Sequence, residues 1–131
     1  HLTQLQQKAD GRDAHGIPNG GGGQSNTIKL EPGSLAETVM SSPAAGGAIA
    51  GGGAGAGAGE VVGRCHHHQA VADVAPGLVV TGRTADGTVE VIERAEPGSW
   101  LLGVQWHPEE TAATDPQNQA LFDHLVAAAR R

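Results

Sequence analysis

Residues 46–59 contain only Gly, Ala and a single isoleucine, Ile49. Such a run buries too little apolar surface to offset its ordering entropy, so it cannot belong to a packed element. It reads as a flexible loop or linker. One short Gly-Ala copy in one chain does not favour a silk-like stack. The run divides the chain into residues 1–45, a polar segment with a short strand and helix, and residues 60–131, where an orderly pattern begins. The 131 residues suffice for one domain with a modest core. Most of the large apolar residues, including Trp100, Trp106 and Phe122, lie beyond residue 60.

The formal charge of -6 and the absence of a basic patch argue against a nucleic-acid partner. No apolar run approaches membrane-spanning length, and no signal peptide is visible. The lone cysteine, Cys65, rules out an internal disulfide and suits a reducing compartment, so a cytoplasmic location is expected.

Local patterns predict the elements. Leu2, Leu5 and Lys8 suggest a short helical stripe that the following glycines stop. Residues 27–30 suit a strand, and Glu31-Pro32-Gly33 a turn. Ser34 can cap a helix, with Glu37 placed for a capping box and Leu35, Val39 and Met40 facing inward. Val61 and Val62 begin a strand, and residues 70–74 suggest a helical turn. Residues 78–84 and 89–93 form a hairpin around Asp86-Gly87. Residues 100–105 read as an apolar strand buried on both faces. Asp115 and Pro116 start a closing helix whose apolar face is Leu121, Phe122, Leu125 and Val126, with Arg130 and Arg131 at its C-terminus.

The sharpest chemical feature is Gly103-Val104-Gln105-Trp106-His107-Pro108-Glu109. Pro108 forces His107 into extended backbone, where residues two apart share a side. His107 and Glu109 are then placed to act together. A carboxylate beside an imidazole fixes its tautomer and stabilises the imidazolium, as activation of a thiol or hydroxyl requires. Taken alone, that spacing better suits a surface histidine beside an acidic turn.

The wider pattern resembles the class I glutamine amidotransferase-like superfamily, above all its γ-glutamyl-γ-aminobutyrate hydrolase branch. Four pieces carry the resemblance in order: His67-His68-Gln69-Ala70-Val71, Ala75-Pro76-Gly77-Leu78, Asp86-Gly87-Thr88-Val89-Glu90 and the segment ending at Glu109. Leu30-Glu31-Pro32-Gly33-Ser34-Leu35 adds a weaker piece upstream. The resemblance implies an α/β fold, part of a flavodoxin-like three-layer sandwich, with the glycine run as an insert. It implies that His107 and Glu109 belong to a Cys-His-Glu triad that cleaves a small-molecule γ-glutamyl amide through a thioester. It also implies that His67 and His68 line the substrate side of the pocket. Gly63-Arg64-Cys65-His66, however, resembles a Gly-Arg-Tyr-His stretch of amidotransferase subunits that feed ammonia to a synthase. That register makes His66 the pocket residue, and the two registers differ by one position.

The family's nucleophile sits in a Gly-x-Cys-x-Gly elbow, and no such elbow occurs in the chain. Cys65 follows the glycine run and reads as a small buried hydrophobe. The expectation is therefore the His/Glu half of a hydrolase, the C-terminal portion of a larger protein, inactive by itself. A missing N-terminal half or a synthase subunit is the expected partner. A non-catalytic relic or binding module is the third reading. No cofactor is expected. No metal site is expected either: adjacent residues of Cys65-His66-His67-His68 rarely converge on one ion, and His15, His107 and His124 are too scattered to complete it. Residues 20–23 lack the Lys-Ser/Thr of a phosphate loop.

Overall fold

Alternating burial along residues 24–30 sends Ile28 and Leu30 inward while Lys29 faces solvent, the period-two signature of a strand. In this computed structural model the residues described are 2–4, 15, 23–41 and 59–130. They form β1 (Leu2–Gln4), β2 (Gln24–Leu30), α1 (Leu35–Ser41), β3 (Glu60–Cys65), β4 (Gln69–Val71), β5 (Leu78–Thr84), β6 (Val89–Arg94), β7 (Leu102–Val104), a 3-10 turn (Pro108–Glu110) and α2 (Pro116–Ala129).

The class is α/β, as the sequence led us to expect. Five strands pair in the order β3-β2-β5-β6-β7, and β1 pairs with β4 in a separate ribbon. All of these pairings are antiparallel. The sheet curls until the chain beyond β7 reaches the opposite edge. There the His107 amide donates to the Arg64 carbonyl at 2.8 Å. Glycine makes the close approaches this curl needs: a Cβ on Gly63 would lie 2.6 Å from Trp106 Cγ and 2.7 Å from Ile28 Cδ1. At the Asp86-Gly87 corner, Gly87 takes φ +88°.

The core joins residues from both sides of the glycine run. Ile28, Val39, Met40, Val61, Cys65 and Val91 are fully buried in one cluster with Trp106 and Leu121. Burying side chains such as Val39 and Met40 contributes about 2 kcal/mol each. Both helices begin as expected. The Ser34 hydroxyl accepts from the Glu37 amide at 3.0 Å, and Glu37 accepts from the Gly33 amide at 2.7 Å. Asp115 accepts from the Gln117 amide at 2.9 Å, with Pro116 at the first helical position.

Several expectations need correction. β2 begins at Gln24, three residues before the expected strand start, because residues 24–26 pair with β3. Leu2 lies in a strand, and residues 69–71 form its partner instead of a helical turn. Residues 102–104 are half-buried, not buried on both faces, because β7 is the edge of the sheet. Leu125 and Val126 are exposed, and α2 docks through Ala120 and Leu121 together with two buried polar side chains, Gln117 and Asn118. Asn118 donates to the Val62 carbonyl at 3.1 Å and accepts from the Trp106 indole at 2.9 Å, while Gln117 donates to the Glu60 carbonyl at 3.1 Å. Leu5, Lys8, residues 20–22, residues 46–58 and Arg131 lie outside the described residues. Among those described, no helix is long and apolar enough to cross a membrane.

Candidate functional site

β3 sorts the Cys-His-His-His run by alternation. Val61, Gly63 and Cys65 are buried, while Val62 and Arg64 are half-buried. The alternation continues beyond the strand: His66 is half-buried, His67 buried and His68 exposed. Successive side chains of an extended chain point to opposite sides, so His66 and His67 serve two different neighbourhoods.

On the outer side, His66 stands against His107, with ring centroids 5.0 Å apart and planes tilted by 49°. His107 Nδ1 lies 2.7 Å from Glu109 Oε1. The pair meets through the 3-10 turn that follows His107, rather than through continued extended chain. His107 itself has φ -106° and ψ 82°, outside the helical region, as a residue before proline requires. Glu110, one residue on, places Oε1 3.0 Å from His66 Nε2 and Oε2 3.7 Å from Arg64 Nε. The hydrogen bond from His107 is the main cause that holds the Glu109 carboxyl below its usual range. With Nδ1 committed to Glu109, Nε2 is the nitrogen left to exchange a proton with a reacting group. The imidazole is 41% exposed, so a reacting group can reach it.

On the inner side, the expected pocket residue His67 lies in a buried polar cluster. Its Nδ1 is 2.9 Å from the Gln69 carbonyl and its Nε2 is 3.1 Å from Glu90 Oε1. The Cys65 thiol donates to the same Glu90 oxygen at 3.7 Å. His15 joins them, with Nδ1 3.0 Å from Glu90 Oε1 and Nε2 3.1 Å from Asp86 Oδ2. The expectation that His15 is too remote to meet Cys65 is thus corrected: the two are fifty positions apart in sequence and share one cluster. Burial disfavours charge on both imidazoles, but their hydrogen bonding to the Cys65 and Glu90 side chains outweighs it. His15 is pushed up to about 10 and His67 to about 9. Burial acts against the Glu90 charge too, and the two histidines overcome it, so its carboxyl is held down.

The structure therefore brings His107, Glu109 and His66 together, sets His67 among buried partners and leaves His68 exposed. Sequence reasoning set His15 aside as too scattered, read Asp86 as a turn residue and did not single out Glu110. Glu90 stood inside the Asp86-Gly87-Thr88-Val89-Glu90 piece, but nothing in that piece marks its side chain as buried.

Residues 3–109 match the peptidase C26 family. The chain is 46% identical over 61 residues to Protein NtpR of Enterococcus hirae, covering 47% of this chain and 26% of that one. It is 36% identical over 62 residues to the γ-glutamyl-γ-aminobutyrate hydrolase PuuD of Escherichia coli, covering 47% of this chain and 24% of the hydrolase. The chain thus spans about a quarter of the length of these curated relatives. Its fold matches the glutaminase domain of Trypanosoma brucei CTPS with bound acivicin, with a TM-score of 0.62 at 20% identity, over 99% of this chain and 46% of that one.

Proposed function

The chain belongs to the peptidase C26 family, within the class I glutamine amidotransferase-like proteins, and from that premise we propose that it carries the acid/base half of a cysteine-dependent γ-glutamyl amide hydrolase. The observation that carries the reading is the 2.7 Å contact between His107 Nδ1 and Glu109 Oε1 at a solvent-accessible turn. Glu109 accepts a hydrogen bond from Nδ1–H and fixes the tautomer, so Nε2 takes the proton of the attacking thiol. The thiolate attacks the γ-carbonyl of a small-molecule amide. His107 then returns the proton to the departing amine, leaving a γ-glutamyl thioester. Water, deprotonated by the same imidazole, cleaves the thioester and restores the thiol.

The nucleophile in this reading is a second cysteine outside the 131 residues. Cys65 is the only cysteine here, is fully buried and bonds to Glu90. A thiol so enclosed cannot reach a substrate carbonyl. A reducing cytoplasm, where a catalytic thiol stays free, suits this chemistry.

A second reading, a glutaminase that hands ammonia to a synthase subunit, is favoured by the position of His66. In the Gly63-Arg64-Cys65-His66 register it is the pocket residue, and it is the histidine that meets His107.

The test is made on the natural gene product that contains this segment. Its intact mass is read, and glutamate release from γ-glutamyl amides is measured. Turnover that disappears with His107→Ala supports the hydrolase. Turnover that rises only when a synthase is added supports the second reading. A gene product without a second cysteine, and without turnover, overturns both.

A further inference from the structure

We propose that His15, Cys65, His67 and Glu90 form a structural site for a zinc-class divalent cation that pins His15 to the sheet. The four side chains are all buried, and one ligand atom from each lies within 4.8 Å of the other three. His15 and Glu90 are 2% and 1% exposed, and Cys65 is fully buried.

The geometry around Glu90 Oε1 carries the inference. His15 Nδ1, His67 Nε2 and Cys65 Sγ approach that oxygen at 3.0, 3.1 and 3.7 Å. A tetrahedral zinc with bonds of about 2.0–2.3 Å separates its ligand atoms by roughly 3.3–3.6 Å. The observed separations bracket those edges. The widest allowed in the cluster, 4.8 Å, exceeds an edge by about 1 Å.

The outer partners are those a metal site needs. His67 Nδ1 is tied to the Gln69 carbonyl, which accepts only from an N–H, so Nε2 is the nitrogen that turns inward. His15 Nε2 is tied to the Asp86 carboxylate, which leaves Nδ1 facing Glu90. Such tethers orient imidazole ligands and raise their basicity. The second Glu90 oxygen is buried and has no hydrogen-bond partner among the described residues. Two imidazoles, a thiolate and a carboxylate suit zinc, and the two anionic ligands neutralise its charge. Binding displaces the thiol proton and any proton on the inward nitrogens to solvent. The Asp86 side chain is 46% exposed, so the His15 edge of the cluster meets water.

The test titrates the chelator-treated, reduced chain with cobalt(II) and then displaces the cobalt with zinc. One equivalent should bind, with a thiolate-to-cobalt charge-transfer band and the visible bands of tetrahedral coordination. Cys65→Ser should abolish the charge-transfer band. Asp86→Asn, at a partly exposed position outside the ligand set, should weaken affinity by about 10–100-fold. Zinc-edge absorption of the unmutated chain covers the case in which a variant fails to fold: one sulfur in the shell supports the site. A shell of nitrogen and oxygen only, an unchanged spectrum in Cys65→Ser, or no stoichiometric binding overturns it. Any bound ion would then belong to surface histidines.

Discussion

His66 and His107 face each other with ring centroids 5.0 Å apart, although they come from opposite edges of the sheet. The backbone explains the meeting: the His107 amide donates to the Arg64 carbonyl, so the chain beyond β7 lies along β3. A histidine pair on one rim of a curled sheet is a place where an acid/base group and a substrate contact can coexist.

In the natural gene product, His107→Ala should lower the rate of γ-glutamyl amide hydrolysis by about 10²–10⁴-fold, the usual contribution of a positioned general base. Glu109→Gln should lower kcat by less, with KM little changed, because it disturbs tautomer and charge without removing the base. Steady-state kinetics on both variants checks this. An undiminished rate in His107→Ala would remove His107 from the mechanism.

Cys65 should resist alkylation in the folded chain, since its thiol is fully buried and bonded to Glu90. Iodoacetamide labelling should accelerate by more than about tenfold on unfolding. Rapid labelling of the native chain, with loss of turnover, would make Cys65 the nucleophile instead.

Glu109 should titrate below the usual glutamate range, because His107 bonds to its ionised form. The stability contributed by this pairing is full above the ordinary glutamate pKa. It is lost as pH falls through the lowered value. In His107→Ala the titration should move upward, towards the ordinary range. Carboxyl NMR as a function of pH reads both. An unchanged titration in the variant would mean that the 2.7 Å contact is not held in solution.

Gly63→Ala should destabilise the chain by about 1–3 kcal/mol, the usual cost of overpacking. The new Cβ would meet Trp106 and Ile28 at 2.6 and 2.7 Å. Urea unfolding of the two chains gives the difference. A neutral outcome would show that Trp106 can shift without cost.

Glu93→Ala should cost about 1–3 kcal/mol. The buried Glu93 carboxylate accepts from the Leu35 amide at 2.9 Å, the Ala36 amide at 3.0 Å and the Thr81 hydroxyl at 2.9 Å. It therefore ties the start of α1 to the sheet. Glu93→Gln keeps an acceptor and should recover part of the loss, measured by the same unfolding experiment.

The elements that sequence reading located well are those whose signals are local. Asp115-Pro116 marks a helix start because a carboxylate cap and a fixed φ need no distant partner. Asp86-Gly87 marks a hairpin corner because only glycine adopts φ +88° without strain. Leu125 and Val126 misled because helical periodicity shows that a face is apolar, not that anything covers it. Residues 69–71 misled because a three-residue strand exists only through its partner, β1.

For the candidate site the division is similar. Sequence alone pointed to His107 and Glu109 as partners and, through Pro108, kept His107 out of the helical region, while the contact itself is made by the 3-10 turn that follows and not by the extended chain expected. It also determined the resemblance that gives the pair a chemical meaning. Only the tertiary structure decided which of three adjacent histidines faces His107, because that depends on the phase of β3 and a one-residue slip reverses every side chain. Only the tertiary structure joined His15, Cys65, His67 and Glu90. Their convergence is made by sheet curl and long-range packing, which leave no periodic trace in the order of the residues.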